Sequence, residues 1–448
     1  MTGDALSPAE FAAHLNAAMA AAKGSGDMQA PLALAVSGGA DSMAMAVLAA
    51  EALGAARVTA LTVDHGLRPE TAAEVAATAA RLARLAIPHV VLRWEGAKPD
   101  SGVQAAARQA RYRLLEDWCV ARARPWLVLA HHQEDQAETL LLRLARGSGV
   151  DGLCAMAGNS PPLSRWDGPR RLRPLLEVAP ERLRAALRAR GIDWVEDPSN
   201  DNPDFDRVKV RRLLADPPLA GLNAARLAAT ARTLARARQA LETYASRLWR
   251  RAVTLHPSGH ASLDAHLLAD EPQDSGLRLL ARLLAVVGGR PLPPRFAHLA
   301  PLFHELVHAG GAARTLAGCL IAPEDAGRVL VTREPAAVRQ RLALHPGGAA
   351  RLWDGRFLVT LGDDAPPGDV AGVGKGGVAQ IRAAGADLSL ADLIAQTQPG
   401  LWQGEKLVAA PTLGYYAQDI YTGFKARFAA SAWGGFGDGL NAGAPVAG

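Results

Sequence analysis

The chain has 448 residues, 49% hydrophobic and 21% charged, which excludes a disordered protein and is too long for one ordinary core. Its 49 Lys+Arg against 44 Asp+Glu give a net charge of +5, compatible with nucleic acid but naming no partner until the charges are placed. Cys119, Cys154 and Cys319 lie far apart with no CxxC pair, which argues against a disulfide framework or a local metal cluster and for buried apolar thiols.

Residues 1–30 hold MTGDALSPAEFAAHLNAAMAAA, which lacks a basic start and carries Asp4, Glu10 and His14 where a secretion signal needs an apolar run. It reads as a leading amphipathic helix. No uninterrupted apolar stretch reaches membrane-spanning length, so a cytoplasmic location and no membrane partner are expected. From Pro31 short apolar runs alternate with helical patterns. Strands are expected at 32–36, 58–63, 89–94, 126–130 and 171–176, and helices near 43–53, 70–86, 103–122, 134–146 and 181–190. Continuous apolar strands are buried on both faces, which implies a parallel sheet with helices on each side. Residues 31–215 are therefore read as a doubly wound α/β domain, whose ligands bind beyond the carboxyl ends of its strands.

After about Leu219 the strand signal fades. Residues 222–254 and most of 261–310 follow helical patterns, broken by GGRPLPP at 288–294, giving a helical domain over 216–312. From Thr315 the text turns β-like in TLAGCLIA, RVLVT and RLWDGRFLVTL, the last reading as two strands around an Asp-Gly turn. A smaller C-terminal α+β region is expected over 313–448, with a Pro/Gly-rich loop at 363–378 and a tail that frays.

The first strand runs into Ser37, Gly38, Gly39, Ala40, Asp41 and Ser42, at the start of a helix. Glycines there let backbone N–H groups approach an anion, the helix amino end favours negative charge, and serine hydroxyls add donors. No lysine is present, unlike the loop ending in Gly-Lys-Ser/Thr. Such a turn suits a pyrophosphate held mainly by backbone, with Mg2+ neutralising charge and Asp41 as its ligand, since a carboxylate beside phosphate is otherwise repelled. A tight turn with a helix cap is the plainer alternative.

SGGADS at this position resembles the signature of the N-type ATP pyrophosphatases, the PP-loop family. The resemblance implies an adenine nucleotide alpha-hydrolase-like fold that cleaves ATP between its α and β phosphates and adenylates a carbonyl oxygen. Further motifs follow in order: VDHGLR (63–68), AARQARYRLL (106–115), LAHHQEDQAETLLLRLARGSGVDGL (129–153), RPLL (173–176) and WVEDPSN (194–200). Together, over roughly the first 215 residues, they resemble the tRNA(Ile)-lysidine synthase family, and RTLAGCLIA (314–322) is weakly similar to its C-terminal region. The resemblance implies a ligase that forms a C–N bond between free L-lysine and the wobble cytidine of a CAU-anticodon isoleucine tRNA. ATP and Mg2+ are its cofactors, AMP and pyrophosphate its other products, and decoding shifts from AUG to AUA.

The chemistry maps onto residues. A pyrimidine 2-oxo group leaves poorly, and adenylation turns it into AMP; charge growing on the phosphates calls for metal and cations. Arg108 and Arg111, three apart on one helix, can reach a shared anion or can line a solvated face. His132, Asp135 and Gln136 follow the fourth strand, where the resemblance implies the ATP and lysine site; His131 and Glu134 adjoin them. His65, after the second strand, is a further ligand candidate. The lysine amine must lose a proton to a carboxylate or to solvent, and the base stays unassigned.

Arg143 and Arg146, before Gly147-Ser148-Gly149, either help place tRNA, as the resemblance implies, or stabilise a helix carboxyl end before a glycine stop. Arg207 and Arg211 close the first domain, but Val208 and Lys209 stand where family members commonly carry Asn, which puts that segment's contacts in doubt. Arg226, Arg232, Arg236, Arg238, Arg247, Arg250 and Arg251 form a basic helical run, either a solvated face or a set of phosphate contacts. A homodimer is left open. Two other readings are kept: a PP-loop tRNA thiolase, which would want reactive or cluster-binding cysteines, and a catalytically silent tRNA-binding protein, whose mark would be an eroded SGGADS.

Overall fold

The computed structural model describes the chain except residues 1–3, 23–26, 68–70, 97, 197–205, 220, 309–312, 325–326, 389 and 431–448. The expected fraying tail, Arg68 and the end of WVEDPSN lie outside the described residues. The chain divides into two units, Met1–Gln239 and Ala240–Gly448.

The first unit opens with α1 (Pro8–Ala20), fixed at its start by a capping box in which Ser7 and Glu10 satisfy each other's backbone N–H groups. Its buried Phe11 and Leu15 each contribute about 1.5–3 kcal/mol. Then follow β1 (Leu32–Ala35), α2 (Ala40–Leu53), β2 (Val58–Asp64), α3 (Thr71–Arg84), β3 (His89–Arg93), α4 (Val103–Ala121) and β4 (Trp126–Val128). Next come α5 (Gln133–Leu144), α6 (Val150–Leu153), β5 (Asn159–Ser160), β6 (Arg170–Leu172), α7 (Pro180–Arg188), α8 (Asp206–Ala215) and α9 (Ala224–Ala252), the last running across the division.

The sheet order is β3-β2-β1-β4-β6-β5, with every pairing parallel except β5 with β6. Leu32, Ala33 and Leu34 of β1 are fully buried, as a central parallel strand requires. Chain order reverses between β1 and β4, so a crevice opens at their carboxyl ends. The last strand is shorter than the expected 171–176: β6 stops at Leu172, and Arg173 leaves the sheet with its N–H on Gly158 O.

The second unit holds β7 (Val253–Leu255), β8 (Ala261–Asp264), α10 (His266–Ala269), α11 (Gln273–Val287), α12 (Phe296–His308), β9 (Arg314–Leu316), β10 (Cys319–Pro323) and β11 (Arg328–Arg333). Their sheet runs β7-β8-β11-β10-β9. It joins residues on both sides of the expected 312/313 boundary, because β8, in a stretch read as helical, pairs antiparallel with β11. Four residues of alternating burial are too few to stand out in sequence beside α11.

The rest comprises β12 (Leu342–Leu344), β13 (Arg351–Trp353), β14 (Phe357–Leu361), β15 (Gly368–Gly372), α13 (Gly374–Ala383), α14 (Asp392–Ala395), β16 (Pro399–Gln403), β17 (Lys406–Ala410), β18 (Tyr415–Tyr416) and β19 (Phe424–Phe428). The expected Asp-Gly hairpin is there: Asp354 and Gly355, with φ of 50° and 66°, turn β13 into β14. The expected loop at 363–378 is corrected. Most of it is β15 and the start of α13, because Val370, Val373 and Val378 are buried in the core despite the glycines around them. No helix among the described residues is long and apolar enough to cross a membrane.

Candidate active site

The turn after β1 is shaped for something outside itself. Gly38 has φ +93°, and a Cβ there would stand 2.3 Å from Thr78 Oγ1 on α3, so no other residue fits without movement. Its carbonyl accepts the N–H of Val195 at 3.0 Å, which ties residues 194–196 over the loop. The Ser42 hydroxyl donates to Gly39 O and accepts the N–H of Ser37, at 3.0 and 3.1 Å, while the two serine oxygens lie 3.2 Å apart. Ser42 thus braces the turn. Gly39 is the N-cap of α2, and no side chain caps that end. By contrast α1 and α5 each carry a full capping box. The first-turn N–H groups of a helix have no partner inside it, so α2, which begins at Ala40, presents an uncapped, partly positive end to the crevice.

Across the switch point stands the start of α5. His132 is its N-cap: Nδ1 accepts the N–H of Glu134 at 3.2 Å, and Asp135 Oδ2 accepts the N–H of His132 at 3.0 Å. An Nδ1 that accepts leaves the proton on Nε2, which lies 3.4 Å from Asp41 Oδ2 and 3.6 Å from Asp135 Oδ2. Sequence therefore brought together residues 94 positions apart: Asp41, His132 and Asp135 form one cluster. Burial pushes the His132 imidazole down, but the hydrogen bond to Asp41 and the charges of Asp135, Asp41 and Glu134 outweigh it and hold the group above its ordinary value. Burial likewise pushes Asp135 up, yet His132, His131 and the His132 N–H hold it below the usual carboxylate range. Burial takes His131 and His65 the other way, both down to about 4, with nearby arginines adding to the effect.

Asp41 Oδ1 is buried without a hydrogen-bond partner. No group of three or more His, Cys, Asp or Glu placed to hold a metal occurs among the described residues. Mg2+ does not need one, since it is held through one or two carboxylates plus phosphates and water. The orphan Oδ1 beside an uncapped helix end fits that mode.

Cations line the crevice. Arg108 and Arg111 of α4 are exposed; Arg111 Nε lies 3.4 Å from His65 Nε2. Arg108 and Arg171 each stand over the Tyr112 ring, at 5.1 and 5.3 Å. Arg173, buried after β6, donates to Ala157 O and Ser160 Oγ. Burial, then Arg171, bring its guanidinium down to about 10, still charged at neutral pH. Arg171 and Arg173 were not singled out in the sequence; arginines two apart at a strand's end are the signal that would have found them. Glu138 is a second addition. Fully buried three residues after Asp135, it accepts Arg211 Nε at 2.6 Å, and its Oε2, 3.9 Å from Arg207 Nε, has no hydrogen-bond partner.

Several candidates are otherwise engaged. Gln136 is latched to the Met156 backbone by both ends of its amide, at 2.9 and 2.8 Å. Arg143 donates to the carbonyls of Gly152 and Ala155, holding the α5–α6 turn. Arg207 and Arg211 face Glu138, Arg232 pairs with Glu177 at 3.0 Å, and Arg236 donates to Thr233. Arg146 stays exposed.

Residues 10–217 match the model of a family described as a PP-loop domain, the class that this switch-point loop defines. The chain is 40% identical over 388 residues, 86% of its length and 88% of the relative's, to a tRNA(Ile)-lysidine synthase from Ruegeria pomeroyi. It is 38% identical over 330 residues to one from Hyphomonas neptunium, covering 72% and 86% of the two chains, and 41% identical over 308 residues to one from Methylobacterium nodulans, covering 67% and 90%. The chain belongs to the tRNA(Ile)-lysidine synthase family.

Proposed function

We propose that the protein catalyses ATP-dependent attachment of free L-lysine to C2 of the wobble cytidine in a CAU-anticodon isoleucine tRNA. The observation that carries this reading is the uncapped, lysine-free amino end of α2 facing the Asp41–His132–Asp135 cluster across the β1/β4 switch point. In the reaction the cytidine 2-oxo oxygen attacks the α-phosphorus of ATP and pyrophosphate departs. The lysine ε-amine then attacks C2, the C–O bond breaks, AMP leaves with the oxygen, and the amine gives up a proton.

The chain's own groups serve each part. The N–H groups of the Gly38–Ser42 turn cradle phosphate oxygens. The Nε2–H of His132 and the guanidiniums of Arg108, Arg111 and Arg173 lower the energy of charge growing on the phosphates. Asp41 would hold Mg2+ through Oδ1, and the metal would neutralise phosphate charge. Asp135 and Glu138 are two carboxylates one helical turn apart, the second with an unpartnered oxygen, a pairing suited to an ammonium group. Against a sulfur-transferring alternative, burial pushes the thiols of Cys119 and Cys319 up to about 12, far from a reactive thiolate.

The test supplies labelled lysine, ATP, Mg2+ and unmodified CAU isoleucine tRNA. Label should enter the tRNA with stoichiometric release of pyrophosphate. Pyrophosphate release with sulfur incorporation, or none with lysine, would move the assignment elsewhere.

A further inference from the structure

The second half of α9 is sharply two-faced. Ala245, Leu248, Trp249 and Ala252 are buried at the spacing of one helix face. On the other side Tyr244, Arg247 and Arg250 are exposed, Tyr244 to 53%. The only acid of α9 is Glu242, and it is occupied: its two oxygens accept Arg278 and Arg282 at 2.9 and 2.6 Å. Arg251 is paired with Glu271 at 2.9 Å. Among the described residues Arg247 and Arg250 have no ion-pair partner. An aromatic ring therefore lies in water with two guanidiniums further along one helix, neither of them in an ion pair among the described residues.

A single exposed tyrosine needs no explanation by itself. Its setting is the informative part. A protein-binding patch would surround the ring with other exposed apolar side chains, whereas here Leu241 is half-buried and Leu248 buried, and the exposed residues within a turn of the ring are Ala240, Thr243 and Arg247. A ring flanked by cations is the arrangement that holds single-stranded nucleic acid, with a base stacked on the aromatic face and adjacent phosphates on arginine. Arg247 follows Tyr244 by one turn, a rise of about 4.5 Å, so ring and guanidinium can serve neighbouring parts of one strand.

We propose that Tyr244 is a stacking platform for an unpaired base of the tRNA, with Arg247 and Arg250 binding the phosphates beside it. The proposal rests on the tRNA reading above. It divides labour along the helix: Tyr244 contributes affinity that salt does not screen, and the arginines contribute affinity that it does.

The experiment measures binding of unmodified CAU isoleucine tRNA to the full chain over a range of salt. Tyr244→Ala should weaken binding about 5- to 150-fold, the range for losing one stacked base, with an unchanged slope of log affinity against log salt. Tyr244→Phe, which keeps the ring, should bind within about twofold of wild type. Arg247→Gln and Arg250→Gln should each lower the magnitude of the slope by about 1. If wild-type protein incorporates lysine while Tyr244→Ala binds tRNA like wild type, the stacking platform is overturned and the lysine-ligation reading stands. If wild-type protein binds no tRNA, both are overturned.

Discussion

The two oxygens of Asp41 are in different circumstances: Oδ2 faces His132 Nε2 at 3.4 Å, and Oδ1 is buried with no partner. One residue thus fixes an imidazole and keeps an acceptor in reserve. Asp41→Ala should lower turnover a hundred- to a thousandfold, about the loss seen on removing one preorganised charge-stabilising group, while tRNA affinity holds. Unchanged turnover would take Asp41 out of the chemistry. The same carboxylate is a main reason that His132 stays above its ordinary value of 6.5 despite burial. A folded-state value raised in this way gives stability that is full below the ordinary imidazole range and is lost as pH climbs through the raised one. Asp41→Asn should therefore lower the His132 titration midpoint, followed by NMR of the imidazole, and flatten the stability change in that window. A midpoint that does not move would mean that Asp135 and Glu134 do the raising.

At the scale of elements, the turn between β1 and α2 is over-determined by Gly38. Two separate obstacles meet any side chain there, the positive φ and Thr78 Oγ1 at 2.3 Å. Gly38→Ala should weaken ATP binding at least tenfold, and adding Thr78→Ala should recover only part of the loss, since it clears the space but not the backbone strain. Full recovery, measured by ATP titration, would show that space alone matters. This loop was legible in sequence because glycines at a strand end have few other uses, and His132 and Asp135 because they follow the next central strand. Glu138 was not, since its burial depends on which helix and loop pack over it, and Arg171 and Arg173 left only their spacing at a strand's end. The same limit hid β8 and β15. A four- or five-residue strand has too little pattern of its own and is defined by its partner's register.

For the whole molecule, a charge of +5 said little until the arginines were placed. Many are committed inward, Arg143 to carbonyls and Arg211 to Glu138, so the surface left for a polyanion is smaller than the count suggests. What remains should still give tRNA binding a steep salt dependence. ATP, which on the proposed reading is held by backbone N–H groups in a crevice, should respond far less; equal responses in parallel titrations would place the tRNA contacts elsewhere. The bare amino end of α2 carries one more implication. A helix that lacks its own terminal partner is completed by whatever binds there, so on the proposed reading nucleotide would be part of what keeps the first unit folded. Thermal melting of the free protein should shift upward with ATP concentration, following the logarithmic law for a ligand that recognises only the native state, and in Gly38→Ala the same shift should need at least tenfold more ATP.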